Sequence, residues 1–191
     1  MSPNERLYVA LYARGGHPTM RQSEDKYHWA FILGPKSEGT KSQGKRFHAK
    51  ETMRFIDGEA QSVWAFEERD IEMAPTAMIL VRILIGKVKK RDRLKAVLRA
   101  VPIRAGDQIG WNCVYWIIEA LHRLHRHQQA GDGIFEKSAN ILEWESIRDI
   151  ALWYVAQKEM EHRFDGLAEE GAFDNSKVPT WDMLKNCERQ A

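Results

Sequence analysis

Residues 78–88 (MILVRILIGKV) form a nearly continuous apolar run. It is far short of the roughly 20 residues that span a bilayer. Its β-branched content fits a central strand covered on both faces. Such a strand commits the chain to flanking strands and to apolar cover on each side.

The segments before it supply those strands. Residues 7–13 (LYVALYA) are aromatic and β-branched and predict a first strand, stopped by Gly15-Gly16-His17-Pro18. Residues 27–33 predict a second. Alternation puts His28, Ala30 and Ile32 on one face and Tyr27, Trp29, Phe31 and Leu33 on the other. Residues 36–44 (KSEGTKSQG) read as a flexible loop or hairpin tip. Residues 46–53 predict a third strand, antiparallel to the second. That pairing brings His28 and His48 onto neighbouring strands, although a one-residue slip would separate their faces. Asp57-Gly58 marks a turn, and residues 62–69 predict a fourth strand. Glu67, Glu68 and Asp70 at its end read as solvated.

After residue 88 the pattern changes to helices. Residues 89–100 predict a short basic helix, and a second helix opens near Asn112. Residues 142–164 predict a long amphipathic helix carrying Trp144, Ile147, Ile150 and Trp153. The tail from residue 165 is polar, with Trp181 and Leu184 as its anchors. Strands followed by helices give the α+β class: an antiparallel sheet of about five strands packed against helices. The expectation is one domain over residues 1–191, with the sheet in 1–88, the helices in 89–164 and a tail in 165–191.

Composition narrows the classes of function. The formal net charge is +2, with acids and bases interspersed, which gives no strong case for nucleic acid or a membrane surface. Residues 1–7 lack the basic start and apolar run of a signal peptide. Two cysteines, at 113 and 187, make neither a disulfide framework nor a CxxC metal site. A cytoplasmic protein with reduced thiols is expected. His122, His125 and His127 read as basic residues at a helix C-terminus, so no metal is expected. No glycine-rich phosphate loop is present, and no cofactor is expected.

The chemistry concentrates in residues 110–121 (GWNCVYWIIEAL). Val114, Ile117, Ile118 and Leu121 recur at helical spacing. Gly106, Asp107 and Gly110 form the loop before them. Asn112 is a good N-cap, and Cys113 then falls in the first turn. Free amides and the helix dipole there favour an anion, so a lowered thiol pKa is expected. A thiol nucleophile also needs an imidazole base and a group to orient it. His28 and His48 are the candidates.

Three segments carry a resemblance: Tyr27-His28-Trp29-Ala30-Phe31-Ile32-Leu33-Gly34, then Phe47-His48-Ala49, then Asn112-Cys113-Val114-Tyr115-Trp116-Ile117. Together they resemble the permuted papain-like thiol hydrolases and acyltransferases. These are the relatives of NlpC-type peptidases typified by lecithin:retinol acyltransferase. In that group a His-Trp-Ala strand ends in Gly, a second His follows on the next strand, and an Asn-Cys pair opens a helix. The resemblance covers the part from the first strand to the nucleophile helix, and the chain is also similar to an uncharacterised fungal branch. It implies a circularly permuted papain-like fold, Cys113 as nucleophile, His28 as base and His48 as orienting group. The insertion at 36–44 departs from the group. So do Val114-Tyr115-Trp116, where lipid-acting members have Glu-His-Phe, and the absence of their hydrophobic C-terminal anchor. The latter two weaken a lipid substrate more than they weaken thiol chemistry.

The expected activity is therefore acyl transfer from an amide or ester through a Cys113 thioester. Asn112, Trp111, Gln108 and Trp29 are the expected substrate-binding residues. Two other readings stay open. The basic cluster at Lys87, Lys89, Lys90, Arg91, Arg93, Lys95 and Arg99 would suit an RNA-linked or phosphorylated donor for an aminoacyl or peptide-bond-forming transferase. The same fold could also serve as a non-catalytic binding module.

Overall fold

Strand β1 (Glu5–Ala13) is buried along almost its whole length, because strands flank it on both edges and apolar layers cover both faces. The computed structural model describes residues 5–39, 41–106 and 108–190. Asp107, expected in the loop before the cysteine helix, and Thr40 lie outside the described residues. After β1 come β2 (Tyr27–Gly34), β3 (Gln43–Ile56), β4 (Glu59–Glu72) and β5 (Ile79–Val88). Then follow α1 (Arg91–Arg99), α2 (Cys113–Gln129), β6 (Phe135–Asn140), α3 (Trp144–Met160), β7 (Thr180–Asp182) and β8 (Cys187–Gln190).

The class is α+β, as expected, but the sheet has eight strands and is mixed. Its order is β4-β3-β2-β1-β5-β7-β8, with β6 paired to β5. The expected count of about five strands is corrected by β6, β7 and β8, and antiparallel pairing fails only at β5–β7, which is parallel. These added strands are short and polar, so no alternation marks them. The tail does more than anchor. Trp181 joins the core on the helix side, and Leu184 packs on the opposite face.

All three helices lie on one face. Leu94 and Leu98 of α1, Val114, Ile117 and Leu121 of α2, and Ile147, Ala151 and Val155 of α3 share one core with Trp29, Phe31, Phe47 and Ile83. The other face carries a smaller cluster of Tyr8, Ala10, Tyr12, Ala30, Ile32, Met73 and Leu84. The faces assigned to β2 by alternation are the ones observed.

Two features of the sheet set up the site. The β3–β4 hairpin pairs residue for residue from Ile56↔Glu59 down to Gln43↔Glu72. Its turn, Asp57-Gly58, has positive φ at both residues, 51° and 82°, as a tight primed turn demands. By contrast, β2 pairs with β3 only at Phe31↔Phe47, Ile32↔Arg46 and Leu33↔Lys45. The start of β2, from Tyr27 to Ala30, bonds to β1 but not to β3. The sheet is open at that edge, and α2 begins beside it.

Candidate functional site

Asn112 caps α2 as its sequence position suggests. Its side-chain oxygen accepts from the Val114 N–H at 2.9 Å. Its amide nitrogen touches Met20 Sδ at 3.5 Å, so the 14–26 loop lies over the helix start. Asp25 holds that loop by accepting from the Thr19 and Met20 N–H groups and the Thr19 hydroxyl. Cys113, beneath it, is fully buried.

Burial corrects one expectation. It pushes the Cys113 thiol up from the ordinary value, where the helix start alone was expected to lower it. The main-chain N–H groups of Trp29, Cys113 and Val114 around the sulfur pull downward but do not offset the lost hydration. The resting group is a neutral thiol.

His28 and His48 do meet. His28 Nε2 and His48 Nδ1 lie 2.6 Å apart, and the rings pack edge-on with centroids 4.9 Å apart. His48 is buried, 4% exposed, although Arg46 and Lys50 flank it on β3. On its far side, His48 Nε2 is 2.8 Å from Glu67 Oε2. Glu67 also receives Arg46 Nη2 at 3.0 Å and Lys50 Nζ at 2.5 Å.

This chain of contacts fixes the tautomers. Burial alone would raise the Glu67 pKa, but hydrogen bonds from Lys50, His48 and Arg46 outweigh it and hold the carboxyl down at about 2. An ionised carboxylate only accepts, so His48 Nε2 carries the proton. His48 Nδ1 is then a lone pair and accepts from His28 Nε2–H. The free lone pair of the whole array is His28 Nδ1, which has no hydrogen-bond partner among the described residues. Both rings stay neutral. Burial lowers His28 to about 3, helped by His48 and Arg46. Burial also lowers His48 to about 4, against the pull of Glu67.

No hydrogen bond among the described residues joins Cys113 to His28. The sulfur faces the N–H of Trp29, the next residue along β2, while alternation sends the Trp29 and His28 side chains to opposite faces. Cys113 and the histidines thus flank the open β2–β3 edge from opposite sides.

A model of a family of unknown function, DUF6914, matches residues 4–189. The chain belongs to the DUF6914 family. No curated protein matches it, and no solved structure matches it.

The expected substrate-binding residues divide. Gln108 and Trp111 border a cleft of about 460 Å³, with Trp64, Ile103 and Glu51 on its other walls. Trp111 stands edge-on to Trp64 at 5.6 Å. Trp29 is corrected: its ring is fully buried against Trp144, and its indole N–H donates to the Glu24 carbonyl at 2.7 Å. Asn112 is committed to capping. Five of the seven bases of the basic cluster are ion-paired. Arg91 pairs with Glu5, Arg93 with Asp132, Lys95 and Arg99 with Glu68, and Lys87 with Glu136. Among the described residues no cluster of three or more metal-ligating side chains occurs. No helix there is long and apolar enough to cross a membrane.

Glu67 is the residue that sequence reasoning missed. Its neighbours Glu68 and Asp70 made it look like part of a solvated acidic run. The signal was the Asp57-Gly58 turn: a two-residue hairpin loop pairs 56 with 59, and hence 48 with 67.

Proposed function

We propose that this DUF6914 protein is a cysteine-dependent hydrolase or acyltransferase acting on an amide or ester carbonyl. Cys113 is the nucleophile, His28 the base, and His48 with Glu67 the groups that orient the base. The observation that carries this reading is the Glu67–His48–His28 hydrogen-bond chain, which leaves an unprotonated nitrogen at the His28 end. A base held at one nitrogen by an orienting group, with the other nitrogen free, is the arrangement that nucleophilic catalysis requires. The likeness of the β2, β3 and α2 segments to permuted papain-like enzymes supports the same roles.

His28 Nδ1 takes the proton from Cys113 Sγ as the sulfur bonds to the carbonyl carbon. The C=O electron pair moves to oxygen, where main-chain N–H groups at the start of α2 meet it; one such donor is worth about 3 kcal/mol. The carbon–nitrogen or carbon–oxygen bond then breaks, and the leaving amine or alcohol takes the proton from His28. Water, an amine or an alcohol then attacks the thioester carbon as His28 accepts its proton; the carbon–sulfur bond breaks, the acid, amide or ester leaves, and the thiolate takes the proton back from His28. The resting pair is neutral, with the proton on Cys113. This step requires Cys113 and His28 to meet across the open β2–β3 edge, beside the contact of Met20 with Asn112. The cleft beside Gln108 and Trp111 receives the acyl group.

Acylation by p-nitrophenyl acetate, mapped by peptide mass spectrometry, tests this reading. Cys187 is exposed and serves as the internal control. The expected result is an acetyl group on Cys113 that forms faster than on Cys187 and is lost in His28→Ala. Acetylation confined to Cys187, or a Cys113 rate that ignores His28, would overturn the reading and favour a binding module.

A further inference from the structure

The sheet face without helices holds a second cavity, of about 470 Å³, bordered by Tyr12, Ile32, Arg46, Arg69, Ile79 and Arg82. Three arginines therefore border one small space, of which Arg46 is paired with Glu67 and Arg82 with Glu38. Arg46 and Arg69 stand directly opposite each other in the β3–β4 ladder, an arrangement that places like charges side by side. The Arg69 side chain has no ion pair or hydrogen bond among the described residues. Arg46 gives Nη2 to Glu67 and lies 5.5 Å from the centre of the Tyr12 ring, yet its Nε is buried without a partner.

Arg82 is more unusual. It is 1% exposed, in the middle of β5. Its Nε and Nη2 donate to Thr180 Oγ1 at 3.3 and 3.2 Å, and Nη2 also reaches Glu38 at 3.0 Å. Its Nη1 is buried with no partner. A buried guanidinium with an unmet N–H is costly, and so are two arginines facing each other. The acids at the rim do not relieve this. Asp70 is held by Lys45 at 2.6 Å, and alternation puts Asp70 and Glu72 in the row facing away from Arg69.

We propose that this cavity binds a small ligand through a carboxylate or phosphate group, anchored by Arg46, Arg69 and Arg82. Ile32, Ile79 and the Tyr12 ring give the ligand an apolar wall. Guanidinium groups suit such oxyanions because their donors match the anion in pairs. The site lies on the face opposite α2, beside the His28–His48 pair, and shares Arg46 with Glu67, but anion binding there needs no thiol chemistry at Cys113.

Titration of the full chain with inorganic phosphate, and separately with succinate, tests the site. Amide and guanidinium NMR resonances are followed at low ionic strength. The expected result is saturable shifts on β3, β4 and β5 with at least one of the two anions, and the tighter one identifies the source of the charge. Arg69→Gln, at an exposed position, should weaken binding by about tenfold, the loss expected of one charge-assisted contact. Arg82→Gln should abolish it. If Arg82→Gln does not fold, Arg69→Gln decides alone. No saturable shift with either anion, or binding that Arg69→Gln leaves unchanged, overturns the proposal.

Discussion

Glu67 organises the site although it is two side chains removed from His28. It accepts from His48, Arg46 and Lys50 at once, and so stays ionised while the imidazoles beyond it stay neutral. Its charge decides which nitrogen of each ring carries a proton. Glu67→Gln keeps the shape but can donate as well as accept, so the tautomer order is lost. Acetylation at Cys113 should fall by about 10²- to 10⁴-fold, the range seen when an orienting group is removed. Imidazole ¹⁵N shifts give an independent reading. In the wild type, His48 should show a protonated Nε2 and a bare Nδ1; in Glu67→Gln that distinction should blur. An unchanged tautomer pattern with full activity would remove Glu67 from the mechanism.

At the scale of elements, the start of α2 combines opposing demands. The Asn112 cap and the free amides stabilise the helix terminus, while packing under the 14–26 loop takes water from the sulfur. Removing the cap isolates the first effect. Asn112→Ala should cost about 1 kcal/mol of stability, and Asn112→Asp should recover most of it. Denaturant midpoints at fixed pH measure both. The β3–β4 hairpin is the other decisive element. Its unbroken register from the Asp57-Gly58 turn sets Glu67 against His48, and a one-residue slip would send Glu67 to the helix side.

For the whole molecule, the buried histidines make stability depend on pH with a definite sign. Both rings have folded pKa values near 3 and 4, below the ordinary 6.5, and Glu67 is near 2, below the ordinary 4.5. The unfolded chain therefore binds more protons than the folded one in mild acid. The contribution is fully present above about pH 6.5. It is lost as pH falls through the folded values, at about 1.4 kcal/mol per pH unit for each extra proton bound on unfolding. Denaturant midpoints should be flat near neutrality and drop steadily in acid. A stability maximum near pH 5 would contradict the buried, neutral pair.

Local pattern carried much of this fold. Alternation assigned the faces of β2, the apolar run at 78–88 marked an interior strand, and Asn112 marked the start of α2; each is a short-range effect that a strand or helix imposes on its own residues. Antiparallel pairing put His28 and His48 on neighbouring strands, and the observed register, with Phe31 opposite Phe47, decided that they share a face. Glu67 was also legible, since a two-residue turn fixes hairpin register, but its acidic neighbours disguised it. Tertiary structure alone decided the rest. Residues 180–182 are a strand only because β5 offers them a free edge. The Cys113 thiol is raised because distant segments exclude water from a helix start that by itself would lower it. The bases of α1 are ion-paired with Glu5, Glu68 and Asp132, which the chain brings in from three other segments. Burial and charge pairing depend on which segments pack together, and no local periodicity records that.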